Sequence, residues 1–287
     1  MDSFQIRFLV SLVISILIAI RSVKRKSVDF SAVFVGIPVF IAHMIAGYRF
    51  AILVLVFFFS SSKVTRVGEE KKRSIDVEFK EGGQRNWKQV LANSGIATIL
   101  AIIIAFIAGG EDRCLDTSNS KLITGLIGGI VGHYACANGD TWSSELGIIS
   151  NSQPRLITTF KKVRKGTNGG VTISGLVAAG AAGCAIGLAF VSVGFVTTNC
   201  EAHVARKQML MIPLATLSGL LGSLIDSVLG STLQYSGYCN LRKKVVGKAG
   251  PTVVKISGRE ILDNNGVNVA SILLTTIFTG ILCTYIF

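Results

Sequence analysis

Two polar clusters in a very apolar chain carry residue types able to handle phosphate. The first reads Asn138-Gly139-Asp140-Thr141-Trp142-Ser143-Ser144-Glu145-Leu146-Gly147. If it continues as a helix, Asp140, Ser144 and Gly147 share a face with His133 and Ala137. A carboxylate, a hydroxyl and bare backbone so aligned suit a hydrated Mg²⁺, which takes one or two carboxylates and completes its shell with phosphate oxygens. A helix cap, with Asp140 accepting from backbone donors, is the equal alternative. The second cluster reads Lys165-Gly166-Thr167-Asn168-Gly169-Gly170. Thr167, Asn168, Gly169 and Gly170 could wrap backbone N–H groups around an anion at the start of a helix, and Lys165 adds charge.

Three further segments supply similar groups. Gly83-Gln84-Arg85-Asn86, with Gln89 and Asn93, is amide-rich, and Arg85 could fork onto a phosphate. Gly219, Ser223, Asp226 and Gly230 form one polar stripe in an apolar segment, where an acid is a functional candidate by default; pairing of Asp226 with a Lys or Arg is equally open. Asp263-Asn264-Asn265 and Asn268 open the last apolar segment. Asp140, Lys165 and Arg85 are therefore the candidate catalytic groups. Thr167, Asn168, Gly169, Gly170, Asn93, Ser144, Asn265 and Asn268 are candidates for binding phosphate, and Asp140, Asp226 and Asp263 for holding metal.

These groups must be positioned by membrane helices. The chain has 287 residues, 50% of them hydrophobic and 16% charged, too little polar surface to cover a water-soluble globule. Its class is an all-α, polytopic helix bundle in a lipid bilayer, a single integral membrane domain over 1–287. About eight apolar stretches are legible: 3–20, 30–46, 48–62, 95–108, 122–137, 171–196, 209–229 and 267–287. A cytoplasmic polar loop is expected over 63–93. The boundary at Gly47, Tyr48 and Arg49 decides the count, because merging its two stretches inverts everything before it.

Most of the 29 Lys and Arg fall in four alternate connections. Arg21–Lys26, Lys63–Lys88, Arg155–Lys165 and Arg242–Arg259 bound these groups, and the positive-inside rule makes them cytoplasmic. Both termini then lie outside the cytoplasm. The net charge of +13 sits in short loops rather than on a stripe or helix, which excludes nucleic acid as the partner; anionic headgroups and phosphorylated substrates fit better. On this topology the even-numbered helices start at the cytoplasmic face with cap-type residues: Asp29 and Ser31, Asn93 and Ser94, Asn168, and Asp263. Their dipoles could converge on one anion, although ordinary capping accounts for each start separately.

The first stretch has no small-x-small cleavage site and is read as a retained anchor; an Arg- and Ser-rich leader is absent, which disfavours plastid or mitochondrial import. The plasma membrane and the endoplasmic reticulum remain open. Six cysteines include no CxxC pair, so a structural zinc site is not expected. Cys114 and Cys200 fall in the two non-cytoplasmic loops, where a disulfide can form. Gly175, Ala179, Gly183 and Gly187, and the pairs Gly125/Gly129 and Gly128/Gly132, read as close helix packing. His43 and His203 read as structural, and the mixed charges of Glu69–Glu81 as a solvated loop. No phosphate loop ending in Gly-Lys-Ser/Thr occurs.

The runs Gly83–Asn93, Asn138–Gly147, Gly166–Thr172, Asp226–Gly230 and Asp263–Asn268 together resemble the transmembrane protein 19 family, over almost the whole chain. That family includes plant phytyl-phosphate kinase and a plant plasma-membrane glucose-responsive regulator, and the chain resembles the regulator more closely. The Gly-Asp and Gly-rich turn are also similar to those of membrane CTP-dependent lipid kinases and cytidylyltransferases, which have Glu-Gly where Asn168-Gly169 stands. The resemblance implies a kinase for a prenyl phosphate using CTP or ATP with Mg²⁺. A non-catalytic regulator of glucose-responsive growth is the alternative. A solute transporter ranks third, since the candidate residues lie toward one end rather than at the midplane.

Overall fold

The computed structural model describes residues 3–75, 77 and 79–287; Asp76 and Glu78 of the polar loop lie outside them. The helices are α1 (Ser3–Lys24), α2 (Phe30–Ala46), α3 (Tyr48–Thr65), α4 (Glu69–Ile75), α5 (Trp87–Ala108), α6 (Thr117–Ile149), α7 (Ile173–Thr197), α8 (Ala202–Gln208), α9 (Met211–Leu233) and α10 (Asn264–Ile286). Among the described residues six helices are long and apolar enough to cross a membrane, and α2 is a shorter apolar one. With α6 they account for the eight apolar stretches, so the count of about eight is approximate. The boundary at Gly47 is real: α2 ends at Ala46 and α3 begins at Tyr48.

The long α6 is the hub, packing on α3, α5, α7, α9 and α10. Buried Ile127, Ile130, Val131, Tyr134 and Ala135 mark its central stretch. Large apolar side chains point outward elsewhere, among them Phe4, Leu17, Phe106, Val177 and Val196, as expected of surfaces solvated by lipid rather than water. Small residues bring the helices together, as the spacing suggests. A Cβ on Gly129 would come within 3.3 Å of Leu100 and Thr276, and one on Gly187 within 2.8 Å of Ile212 Cα, so dispersion contacts act at backbone distance. Cys114 and Cys200 form a disulfide with Cα atoms 5.9 Å apart, joining the loops before α6 and α8.

Three expectations need correction. The stretch 63–93 is not all loop: α3 runs to Thr65, α4 is helical, and α5 begins at Trp87. It is also not simply solvated, because Lys72 is buried and pairs with Glu145 at 2.6 Å. The caps differ too. Asp29 does cap α2, accepting from Ala32 N–H. However, α5 is opened by an Asn86/Gln89 capping box, leaving Asn93 inside the helix, and α7 by Thr172 rather than Asn168. Finally, the connection after α9 holds a three-stranded antiparallel sheet of β3 (Ser236–Cys239), β4 (Lys244–Val246) and β5 (Val253–Ser257), in order β4-β3-β5. Its alternation of Val with Lys and its Gly and Pro turns were the strand signal. A two-residue pair, β1 (Arg155–Leu156) with β2 (Gly170–Val171), closes the α6–α7 connection.

Candidate functional site

α6 stays helical through Asn138–Gly147, which makes Asp140 a mid-helix residue and rules out its role as an N-cap. What brings it to a partner is the close crossing of α6 and α9. A Cβ on Gly139 would lie 2.7 Å from Gly219 O, and Gly222 packs directly on Cys136. One turn beyond that contact on each helix stand Asp140 and Asp226, whose carboxyl groups are within hydrogen-bonding reach of each other. Asp226 pairs with no Lys or Arg here; its Oδ2 accepts from Ser271 Oγ of α10 at 3.0 Å.

The network continues across the bundle. Ser271 Oγ also lies 3.1 Å from Asn268 O. Asn268 Nδ2 donates to Asn93 Oδ1 at 3.4 Å, and Asn93 Nδ2 to Gln89 O at 2.9 Å. His133 Nε2 meets Asn93 O at 2.9 Å. Residues from α5, α6, α9 and α10 thus form one polar path ending on two acids. Two carboxylates in contact repel each other, and a cation between them relieves that repulsion.

A third acid, Glu145, bears on Asp140 and has partners of its own. Lys72 of α4 reaches Glu145 of α6 at 2.6 Å, with the two side chains 5% and 23% exposed, and Lys72 Nζ also donates to Val64 O and Thr65 O. Arg85 Nη1 donates to Ser62 Oγ at 2.8 Å. Burial pushes the Arg85 guanidinium down from its ordinary pKa, while the charge of Glu145 opposes that shift. Arg85, Gln89, Asn93 and Ser94, with Ser15, are the polar residues lining a cleft whose other walls are apolar, including Val28, Ala32, Phe40, Phe57 and Phe58.

Other candidates sit apart from the acids. Lys165 Nζ donates to Ser150 O, at the C-terminal end of α6, about 15 Å along the helix from Asp140 at 1.5 Å per residue. Burial, and then the nearby Lys71, lower its pKa. Ser144 is exposed and donates to Thr141 O. In the Gly-rich turn, Thr167 N–H donates to Arg164 O, Gly170 N–H to Thr167 O, and Asn168 N–H to Ser236 Oγ at 3.0 Å. Asn168 Nδ2 donates to Tyr235 O. Gly169 has φ +75 and packs on the backbone of α9 at Ser227 and Ser231, leaving no room for a Cβ. The turn as folded fastens the α6–α7 connection to α9 and the sheet, with three of its amides already engaged. Asp263 is exposed and caps α10 by accepting from Gly266 N–H. Asn265 lies in the first turn of that helix.

The sequence did not point to Lys72 or Ser271, and gave Asn138 only as the first residue of its cluster. Asn138 Oδ1 accepts from Ser60 and Ser61 hydroxyls at 3.0 Å each, and its Nδ2 donates to Ala182 O at 3.2 Å. That fully buried amide locks α3 and α7 to α6 two residues before Asp140. Among the described residues no group of three or more His, Cys, Asp or Glu gathers as a metal site.

Comparison with known proteins agrees with the membrane architecture. The family model described as Integral membrane protein DUF92 matches residues 13–276. Protein PGR of Arabidopsis thaliana is 61% identical over 283 residues, 99% of this chain and 98% of that protein. An uncharacterized membrane protein of Methanocaldococcus jannaschii is 34% identical over 237 residues, covering 82% of this chain and 87% of its own length. More distantly, Protein VTE6, chloroplastic, of Arabidopsis thaliana is 28% identical over 127 residues, 44% of this chain and 35% of that protein. No solved structure matches. The chain belongs to the DUF92 family of integral membrane proteins.

Proposed function

We propose that the chain is a nucleotide-dependent kinase acting on a prenyl phosphate, with Asp140 and Asp226 as its central acids. The observation that carries this reading is the position of Asn93. It lines the apolar cleft beside Arg85 and is also hydrogen-bonded into the path that ends at Asp226. A lipid with its tail in the cleft would present its phosphate to Arg85 and Asn93, next to the acid pair.

Phosphoryl transfer asks chiefly for positioning and charge neutralisation. An oxygen of the acceptor phosphate attacks the terminal phosphorus of CTP or ATP, the bond to the leaving nucleoside diphosphate breaks, and a prenyl diphosphate forms. The acceptor is already anionic, so no dedicated base is required. Mg²⁺, when bound, would neutralise nucleotide oxygens. Asp140 and Asp226 would hold it, and Arg85 would orient the acceptor. Asp263, Lys165, Ser144, Asn265 and the Thr167–Gly170 turn remain candidates for contacting the nucleotide after a rearrangement that frees their present partners.

Purified protein in lipid nanodiscs, given labelled CTP or ATP and a panel of prenyl phosphates, should yield a labelled prenyl diphosphate. No labelled diphosphate with either nucleotide across the panel overturns the reading. It would favour the second one, a non-catalytic plasma-membrane regulator of glucose-responsive growth, which rests on the family resemblance.

A further inference from the structure

Gly129 and Gly187 let helix backbones approach each other; Gly36, in the second turn of α2, does not. A Cβ at Gly36 would meet no atom within 4 Å, so packing does not require glycine there. Glycine also weakens a helix interior relative to alanine. What Gly36 leaves is space. It stands between Ala32 and Phe40, one turn away on either side along the same face and both buried. All three line the cleft that also holds Arg85 and Asn93.

The depth of that gap follows from the backbone. Asp29 N–H donates to Arg85 O at 2.9 Å and Arg85 N–H to Ser27 O at 3.0 Å, which sets the start of α2 level with Arg85. Counting from Asp29 at 1.5 Å per residue, Gly36 lies about 10 Å further along α2 and Phe40 about 16 Å, roughly half the ~30 Å thickness of a bilayer's hydrocarbon. The cleft is narrow as well as deep. It encloses about 110 Å³, less than the roughly 150 Å³ cavity that admits benzene. Only a few carbons of a lipid tail fit at once. Apolar walls with a guanidinium and an amide among them match a phosphorylated lipid, but a polyisoprenoid is far larger than the space, so most of its length must lie among the surrounding lipid chains.

Resting on the lipid placement proposed above, we infer that Gly36 is the residue that determines tail specificity. The gap it leaves grips only the part of the tail next to the phosphate, and the rest extends into the bilayer. The protein then reads the chemistry of the first isoprene unit and not the length of the chain. A larger side chain at position 36 would close the gap while leaving Arg85, Asn93 and the acid pair in place.

The test is photolabelling of the full chain in phosphatidylcholine nanodiscs with geranylgeranyl phosphate that carries a diazirine on either its first or its last isoprene unit. The first-unit probe should label residues of the cleft wall, and the last-unit probe should label them at least tenfold less. Unlabelled geranyl, farnesyl and geranylgeranyl phosphates, at equal mole fraction in the membrane, should compete within tenfold of one another. Gly36→Leu should weaken first-unit labelling at least tenfold, with a melting temperature no lower than that of wild type. The inference is overturned if the first-unit probe does not label the cleft, if the last-unit probe labels it comparably, if competition strengthens more than tenfold with length, or if folded Gly36→Leu is labelled like wild type. Should Gly36→Leu fail to insert, the two probes on wild type decide. Labelling needs no turnover, so cleft labelling without any labelled diphosphate would remove the kinase reading and leave the tail site standing.

Discussion

Each end of the bundle draws an arginine inward, and the two settings differ in what surrounds it. Arg49 is fixed by Arg113 O, Gln208 and the Phe190 face, and the same end is closed covalently by Cys114–Cys200. Arg85 is held by one hydroxyl, Ser62, with the Phe58 ring 5.9 Å away, and lies near Glu145. One end holds its loops together, although Arg49 Nε and both Asp112 carboxylate oxygens lack hydrogen-bond partners there. The other gathers three acids, a buried lysine and an arginine, more charge than packing needs and costly to desolvate. Under the proposed function, that excess is what would meet the phosphates.

The covalent end should show the largest loss of stability. Cys114→Ser removes a link between residues 86 apart in sequence, worth about 4 kcal/mol in the chain-entropy account. The melting temperature should fall to that of reduced wild type, and a non-reducing gel should lose the faster-migrating form. An unchanged melting temperature would mean that the loops are held by Arg49 and Gln208 alone.

At the acidic end, Lys72→Met leaves Glu145 without its 2.6 Å partner and should cost about 3 kcal/mol. The double variant Lys72→Met/Glu145→Gln should recover most of it. A double variant no better than the single would show that Lys72 acts through Val64 O and Thr65 O instead. Asn138→Ala strands two serine hydroxyls and the Ala182 carbonyl and should cost about 2 kcal/mol, read by thermal unfolding.

The smallest effect belongs to Asp29, the half-buried N-cap of α2. Its hydrogen bond from Ser31, foremost, holds its carboxyl below the ordinary 3.8. A depressed pKa gives stability that is present above the unfolded value and lost as pH falls through the folded one. Asp29→Ala should therefore cost less than about 1 kcal/mol at neutral pH, with the gap to wild type closing below pH 3.8. A gap that persists at low pH would show that Ser31 and Ala32 do not depend on that charge.

The bundle was legible because spans announce themselves by apolar length and lysine placement, while the loops' shared side made the disulfide possible without requiring it. Asp140 and Asp226 were legible as acids in apolar helices. Their meeting was not, since it depends on where Gly139 and Gly219 let α6 and α9 cross. Lys72 escaped because a lysine in a mixed-charge run looks solvated until α4 folds it against Glu145, 73 positions away in Lys72–Glu145 numbering. The Gly-rich turn resembled an anion cradle because the same amides that could hold phosphate can close a turn; Ser236, in a sheet that the basic loop concealed, engages Asn168.

The most direct test of the acid pair is the rate of labelled prenyl diphosphate formation by Asp140→Asn, Asp226→Asn and Asp263→Asn, each checked for normal membrane insertion. Asp140→Asn and Asp226→Asn should each lose about 100-fold or more, the scale of removing one electrostatic contact to the transition state, while Asp263→Asn, which keeps its cap, stays within a few fold. Wild-type turnover in Asp140→Asn would contradict the account.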